Sequence, residues 1–200
     1  VREASRQEVV RRYFSAQCAA RQGMGGKDEI YRLELIMSKL GITPDIRSCV
    51  SAANAKAEET NAPAIAIELP DGSIVTGKTS SLLGPASAAL LNALKKLAGI
   101  DDDILLISPA VIEPIQKLKT HNMGNTNPRL HMDEVLIALA ICAVTAPVAA
   151  KALEQLEKLK CTEAHSTVIL SRVDESVFKK LGVNLTCEPK YQTKKLYHPK

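Results

Sequence analysis

The chain has 200 residues, enough for one domain, or a domain with a subdomain, around a sizeable core. Apolar residues make up 46% of it, but only 3% are aromatic and Trp is absent, so the core must be built from Ala, Leu, Ile and Val. That composition argues against a base-stacking platform for nucleic acid, and the net charge of +4 is a mild excess.

A helical pattern opens almost at once. Ser5-x-x-Glu8 has the form of a capping box, and Val10, Tyr13, Phe14 and Cys18 share one face at helical spacing. A chain that begins at Val1 inside a formed element is expected to be part of a longer protein. Gly23-Met-Gly-Gly26 breaks this helix. A second helix carries Ile30, Leu33, Met37 and Leu40 on one face and stops at Gly41. Thr43-Pro44 supplies an N-cap and a first-turn proline for a third, running through Ala53 and Ala57 to Asn61-Ala-Pro63.

From residue 64 the period changes. Residues 64–69 and 73–77 read as two strands joined by Asp71-Gly72, a hairpin signal. Pro85 opens a helix over 86–98, closed by Gly99. Residues 104–107 read as a short buried strand, and Ser108-Pro109 caps the next helix, which Pro114 should bend or whose start it should delay. A polar loop spans 120–128. The helix expected over 132–145 is apolar on nearly every side, and so should be buried in the chain or against a partner. Pro147 starts another helix with Leu153 and Leu156 on one face, and 167–170 reads as a strand. Asp174 caps a helix to Leu181, and 183–187 is a last strand. The alternation predicts an α/β fold (α+β is the alternative): a helical subdomain over 1–62, a mixed-sheet subdomain over 63–189, and a basic tail over 190–200 containing Lys190, Lys194, Lys195 and Lys200.

Gly72-Ser-Ile-Val-Thr-Gly77-Lys78-Thr79 matches the phosphate-loop pattern letter for letter. Such a loop must curl so that its N–H groups surround phosphates. Ile74, Val75 and Thr76 are β-branched and prefer an extended pleat, so the hairpin reading competes with it.

Five widely separated cysteines, with no Cys-x-x-Cys, read as reduced thiols of a cytoplasmic protein. The most apolar stretch, 135–150, is broken by Pro147 and is too short to span a bilayer, so no membrane partner is expected. His131, Asp133 and Glu134 open the apolar helix, where acids complement the helix dipole and could also serve acid–base chemistry. His121, His131 and His165 could supply a metal's three ligands only if they meet. Arg129 with Lys78 could hold an anion or an acidic surface. Cys187 lies beside Glu188, yet a buried structural thiol is the simpler reading. No motif implies a cofactor or a resident metal, and no Gly-x-Ser-x-Gly elbow is present.

Segments 66–80, 106–120, 127–138 and 182–197 resemble the C-terminal part of the bacterial family described as domain of unknown function 1846. The resemblance covers the whole chain. It implies a helical region used for oligomerisation, an α/β part, and a preceding N-terminal half with its own glycine-rich phosphate loop. It carries no reaction. In architecture, 64–119 is also similar to the three-layer cytidine-deaminase-like fold. Its zinc positions fall here on Gly84-Pro-Ala-Ser87 and on Pro109-Ala-Val-Ile-Glu113, so the zinc ligands are missing. The function expected is a structural, oligomerising module. It would pair with its own copies and with the N-terminal part of the longer protein. The alternative is part of a nucleotide- or sugar-phosphate-binding enzyme, with Lys78, Thr79, Arg129 and His131 as its ligand-binding residues.

Overall fold

A computed structural model describes residues 2–192. Three of the basic-tail lysines, Lys194, Lys195 and Lys200, lie outside those residues. Helix α1 (Arg2–Arg21) starts before Ser5, so Ser5 and Glu8 sit inside it rather than at its start. Helix α2 (Lys27–Leu40) ends where Gly41 turns left-handed at φ 60°, and the Gly41 and Ile42 N–H groups close its last turn. Leu33 and Met37 bury their side chains, whereas Leu40 stays exposed. Pro44 opens a short 3-10 turn, Pro44–Ile46, and helix α3 (Ser48–Thr60) begins only after Arg47. Its start was expected at Thr43, but the backbone straightens at Arg47, whose side chain is drawn into the interior.

Strands β1 (Ala64–Glu68) and β2 (Ile74–Lys78) form the expected antiparallel hairpin, with Ile65 opposite Gly77 and Glu68 opposite Ile74. Helix α4 (Pro85–Ala98) follows and is closed by left-handed Gly99. Residues 104–107 form no strand. Leu106 and Ile107 bury their side chains while Ile104 and Leu105 point outward, so this segment anchors the core without a ladder partner. The strand on which a deaminase-like order depends is therefore absent from 99–108. Helix α5 (Pro109–Lys117) tolerates Pro114, and α6 (Met132–Ala143) and α7 (Pro147–Leu153) follow.

Strand β3 is Glu163–Ser166, just before the expected 167–170. The apolar run Val168–Leu170 fills the core, while the polar residues ahead of it make the ladder because each finds a partner there. Helix α8 (Arg172–Lys180) is capped by Ser171, whose Oγ accepts from the Asp174 N–H at 3.1 Å; Asp174 itself lies a turn inside. Strand β4 (Asn184–Cys187) completes a mixed sheet in the order β2-β1-β3-β4, with β3 and β4 parallel and the other pairs antiparallel.

The alternation along β1 sorts the two faces. Ile65 and Ile67 enter the main core with Ala89, Leu90 and Leu94 of α4. Ala66 meets Cys49 and Ala53 of α3 on the other side. Small residues there let α3 approach closely, and β1 is buried on both faces.

The helical cover is stapled to the sheet by charge. Arg47 is only 1% exposed. Its guanidinium donates to Glu163 Oε2 at 2.6 Å and to the carbonyls of Ala164 and Asn184 at 3.2 Å each. Arg11 of α1 and the Asn184 amide share the other Glu163 oxygen. Removing one partner strands the other's charge, so Glu163→Gln is expected to cost on the order of 3 kcal/mol in urea unfolding. Gly77→Ala tests the packing of α4 on β2. A Cβ at Gly77 would lie 2.1 Å from the Ala89 nitrogen, whereas one at Gly84 would meet nothing nearer than 3.8 Å. The first substitution should destabilise by about 2 kcal/mol or more, and Gly84→Ala by under about 1 kcal/mol.

Candidate functional site

The phosphate-loop letters fall on a flat hairpin. Asp71 Oδ1 accepts from the Ser73 N–H at 2.9 Å, Gly72 takes φ 79°, and Ile74–Lys78 pair in register with β1. Gly77 is a glycine because α4 lies against it. Lys78 is exposed, and both the backbone N–H and the hydroxyl of Thr79 donate to Pro63 O. Arg129 sends its Nε to Ser80 O at 2.6 Å. These N–H groups are committed to the fold, and no cradle opens between them.

The polar cluster lies at the start of α6. Leu130 is pinned there: its N–H donates to Leu82 O, and its carbonyl accepts from Gly84 N–H and the Ser87 hydroxyl. Helix α5 runs into a π turn, Leu118–Asn122. Such widened turns are rare and concentrate at functional sites. This one buries Lys119, whose ammonium donates to Arg129 O and to Glu134 Oε2, each at 2.7 Å. Glu134 also accepts from the His131 N–H at 2.8 Å, completing one half of a capping box. Asp174 reaches across from α8. Its Oδ1 accepts from the Met132 N–H at 2.9 Å, and its Oδ2 meets His131 Nδ1 at 3.0 Å and the Ser171 hydroxyl at 2.8 Å. The hydrogen bond that the His131 ring donates to the Asp174 carboxylate raises the His131 pKa, against the opposing effect of burial. Beside this cluster lies a cavity of about 320 Å³, lined among others by Lys119, Asn125, Asn127, His131, Asp133 and Glu134.

Ser171, His131 and Asp174 are not a nucleophilic triad. Serine and aspartate both address Nδ1, whereas a triad places them on opposite ring nitrogens. The arrangement fixes the ring and leaves Nε2 as its only route to a ligand.

The other histidines stand elsewhere. His121 is exposed on the π turn, with Nδ1 3.2 Å from Lys117 O. His165 is fully buried in β3, with Nδ1 2.9 Å from Thr186 Oγ1 and its ring 4.8 Å from that of Phe14. Its Nε2 sits 3.5 Å from Glu188, long for a hydrogen bond, and burial pushes its pKa down. Among the described residues no three His, Cys, Asp or Glu side chains gather to hold a metal ion. Burial raises the Cys187 thiol pKa and pushes that of Cys18 up to about 12, so neither is poised as a thiolate. All five cysteines are free, and no helix among the described residues is long and apolar enough to cross a membrane.

Of the four residues expected to bind a ligand, Lys78, Thr79 and the Arg129 side chain border the segment after β2. His131 alone lines the cavity. Lys119, which lines the cavity too, and Asp174, which holds His131 in place, were both missed. Lys119 lies in a polar run with no periodic signal, and Asp174 carries only the signal of a helix start.

Fold and cluster together define an α/β module with helices on both sheet faces, a charged staple between them and a polar cavity at the start of α6. The chain belongs to the family described as Domain of unknown function DUF1846, C-terminal, which matches residues 45–197. A UPF0371 protein of Streptococcus thermophilus is 52% identical over 196 residues, covering 98% of this chain and 40% of that protein. A UPF0371 protein of Streptococcus pneumoniae serotype 19F is 51% identical over 195 residues, with the same coverage. The chain thus spans about two fifths of the length of the curated relatives it matches.

The two shifted histidines should pull stability in opposite directions. For His131 the folded pKa is raised, so its contribution is full below the ordinary value of about 6.5 and is lost as pH rises through the folded pKa. For His165 it is lowered, so stability is lost as pH falls below about 6.5. In NMR titrations of the ring protons, His131 should deprotonate above His165. Asp174→Asn should bring His131 down and leave His165 in place. In urea unfolding the same variant should lose more stability at pH 5 than at pH 8.

Proposed function

We propose that the chain is a non-catalytic assembly module of a cytoplasmic protein, and that α6 is the surface through which copies associate. One observation carries this reading. Ile137, Ile141 and Val144, at helical spacing, are 63%, 65% and 83% exposed. The sequence led to the expectation of a helix buried in the chain or against a partner; in the single chain only the side bearing Met132, Val135, Ala138 and Leu139 is covered. Burying each of the three exposed side chains is worth roughly 1.5–3 kcal/mol, and apolar surface of this kind marks contacts. From Val135 to Val144 the helix carries no charge, so the stripe has no ionic partner to demand and can pack on its own copy across a two-fold axis.

A second apolar surface supports a second partner. Tyr31 and Leu35 of α2 are 62% and 43% exposed, opposite buried Leu33 and Met37. The relatives extend well beyond this chain, and we assign that face to the remainder of the longer protein. The cytoplasmic placement rests on the five free thiols, which suit a reducing compartment.

Sedimentation velocity at micromolar concentration should find an oligomer. Ile141→Glu should dissociate it while leaving the helical circular dichroism unchanged. A strictly monomeric parent chain overturns the reading.

A further inference from the structure

We propose that the cavity beside His131 is a binding site for a small, uncharged, hydroxyl-rich molecule of the sugar or polyol class. This goes beyond the assembly reading and does not depend on it. The volume of about 320 Å³ is at the small end of the range that ligand sites occupy.

The charge pattern selects the class. Lys119 is paired with Glu134, and His131 with Asp174, so each cancels locally. Asp133 then leaves the lining with an excess of negative charge. Three of the N–H groups at the start of α6, which would otherwise attract a phosphate, are already taken: His131 N–H by Glu134, Met132 N–H by Asp174, and Glu134 N–H by Asp133 Oδ1 at 2.8 Å. An anion finds neither a free cradle nor a positive field there.

A neutral polyol asks for donors and acceptors side by side, and these remain. Asn127 uses its Oδ1 on the Arg129 N–H at 3.2 Å and keeps its NH2 group. Asp133 commits Oδ1 to its own helix and keeps Oδ2. His131, held at Nδ1, keeps Nε2. Asn125 adds a second amide. The π turn and the buried Lys119 hold this wall in place, so the groups are set before a ligand arrives. No Phe, Tyr or Trp lines the cavity to stack on a sugar ring, so affinity should lie in the millimolar range.

The test follows the histidine ring resonances of the 200-residue chain during titration with glucose, mannose, galactose and glycerol, and separately with inorganic phosphate. The expected result is a saturable shift of His131 with at least one of the four, none with phosphate, and an unmoved His165. Asn127→Ala and Asp133→Asn should each weaken that binding about tenfold or more while the chain stays folded by circular dichroism. Three results overturn the proposal: a His131 ring unmoved by all four polyols, one moved only by phosphate, or binding undiminished in both variants. None of them bears on the oligomeric state, which sedimentation reads independently.

Discussion

A single guanidinium organises this structure. Arg47 is held inside the protein, and its charge is answered by Glu163 at the start of β3. A buried charge left unpaired is far more costly than the pair is favourable, so the Arg47–Glu163 contact acts as a constraint more than as a glue. It obliges the turn before α3 to sit over β3 and β4, because the same guanidinium also reaches the Ala164 and Asn184 carbonyls. Arg11 brings α1 to the same carboxylate. The helices of the first sixty residues are thereby fixed against β3 and β4, the two strands that come from a hundred and more residues later.

Once that cover is in place, β1 has helices on both sides, and the sizes of its neighbours decide the spacing. Alanines face α3, and Gly77 faces α4. This accounts for a sequence that spells a phosphate loop without being one. The glycine answers a packing demand from Ala89, and the β-branched residues before it answer the demands of a strand. Gly72 is the only member of the motif that uses the left-handed freedom of glycine, and it uses it in a hairpin turn.

Helix α6 divides two roles along its length. Its first turn is polar, knotted to Asp174 of α8 and to Lys119 of the π turn, and it borders a cavity. Its later turns are apolar on the outside and leave Ile137, Ile141 and Val144 uncovered. A carboxylate that caps a helix and also grips a histidine couples the placement of the ring to the packing of α8 on α6.

What the sequence determined by itself was local. Gly41 and Gly99 end their helices, Asp71-Gly72 turns the hairpin, and Pro85 and Pro147 open helices, all through interactions within a few residues. The family, too, was legible in the order of its segments. The tertiary structure decided the rest. The apolar run 167–170 was the better strand by propensity, yet Glu163–Ser166 took the ladder because its polar side chains meet Arg47 and Thr186. Residues 104–107 lacked any strand to pair with, and hydrophobicity could not reveal that. The polar cluster depends on Asp174 meeting His131 across 43 positions and on Lys119 meeting Glu134 across 15. Turns and caps are set by neighbours in the chain. Ladders, exposed faces and side-chain clusters are set by whichever distant segment the packing brings alongside.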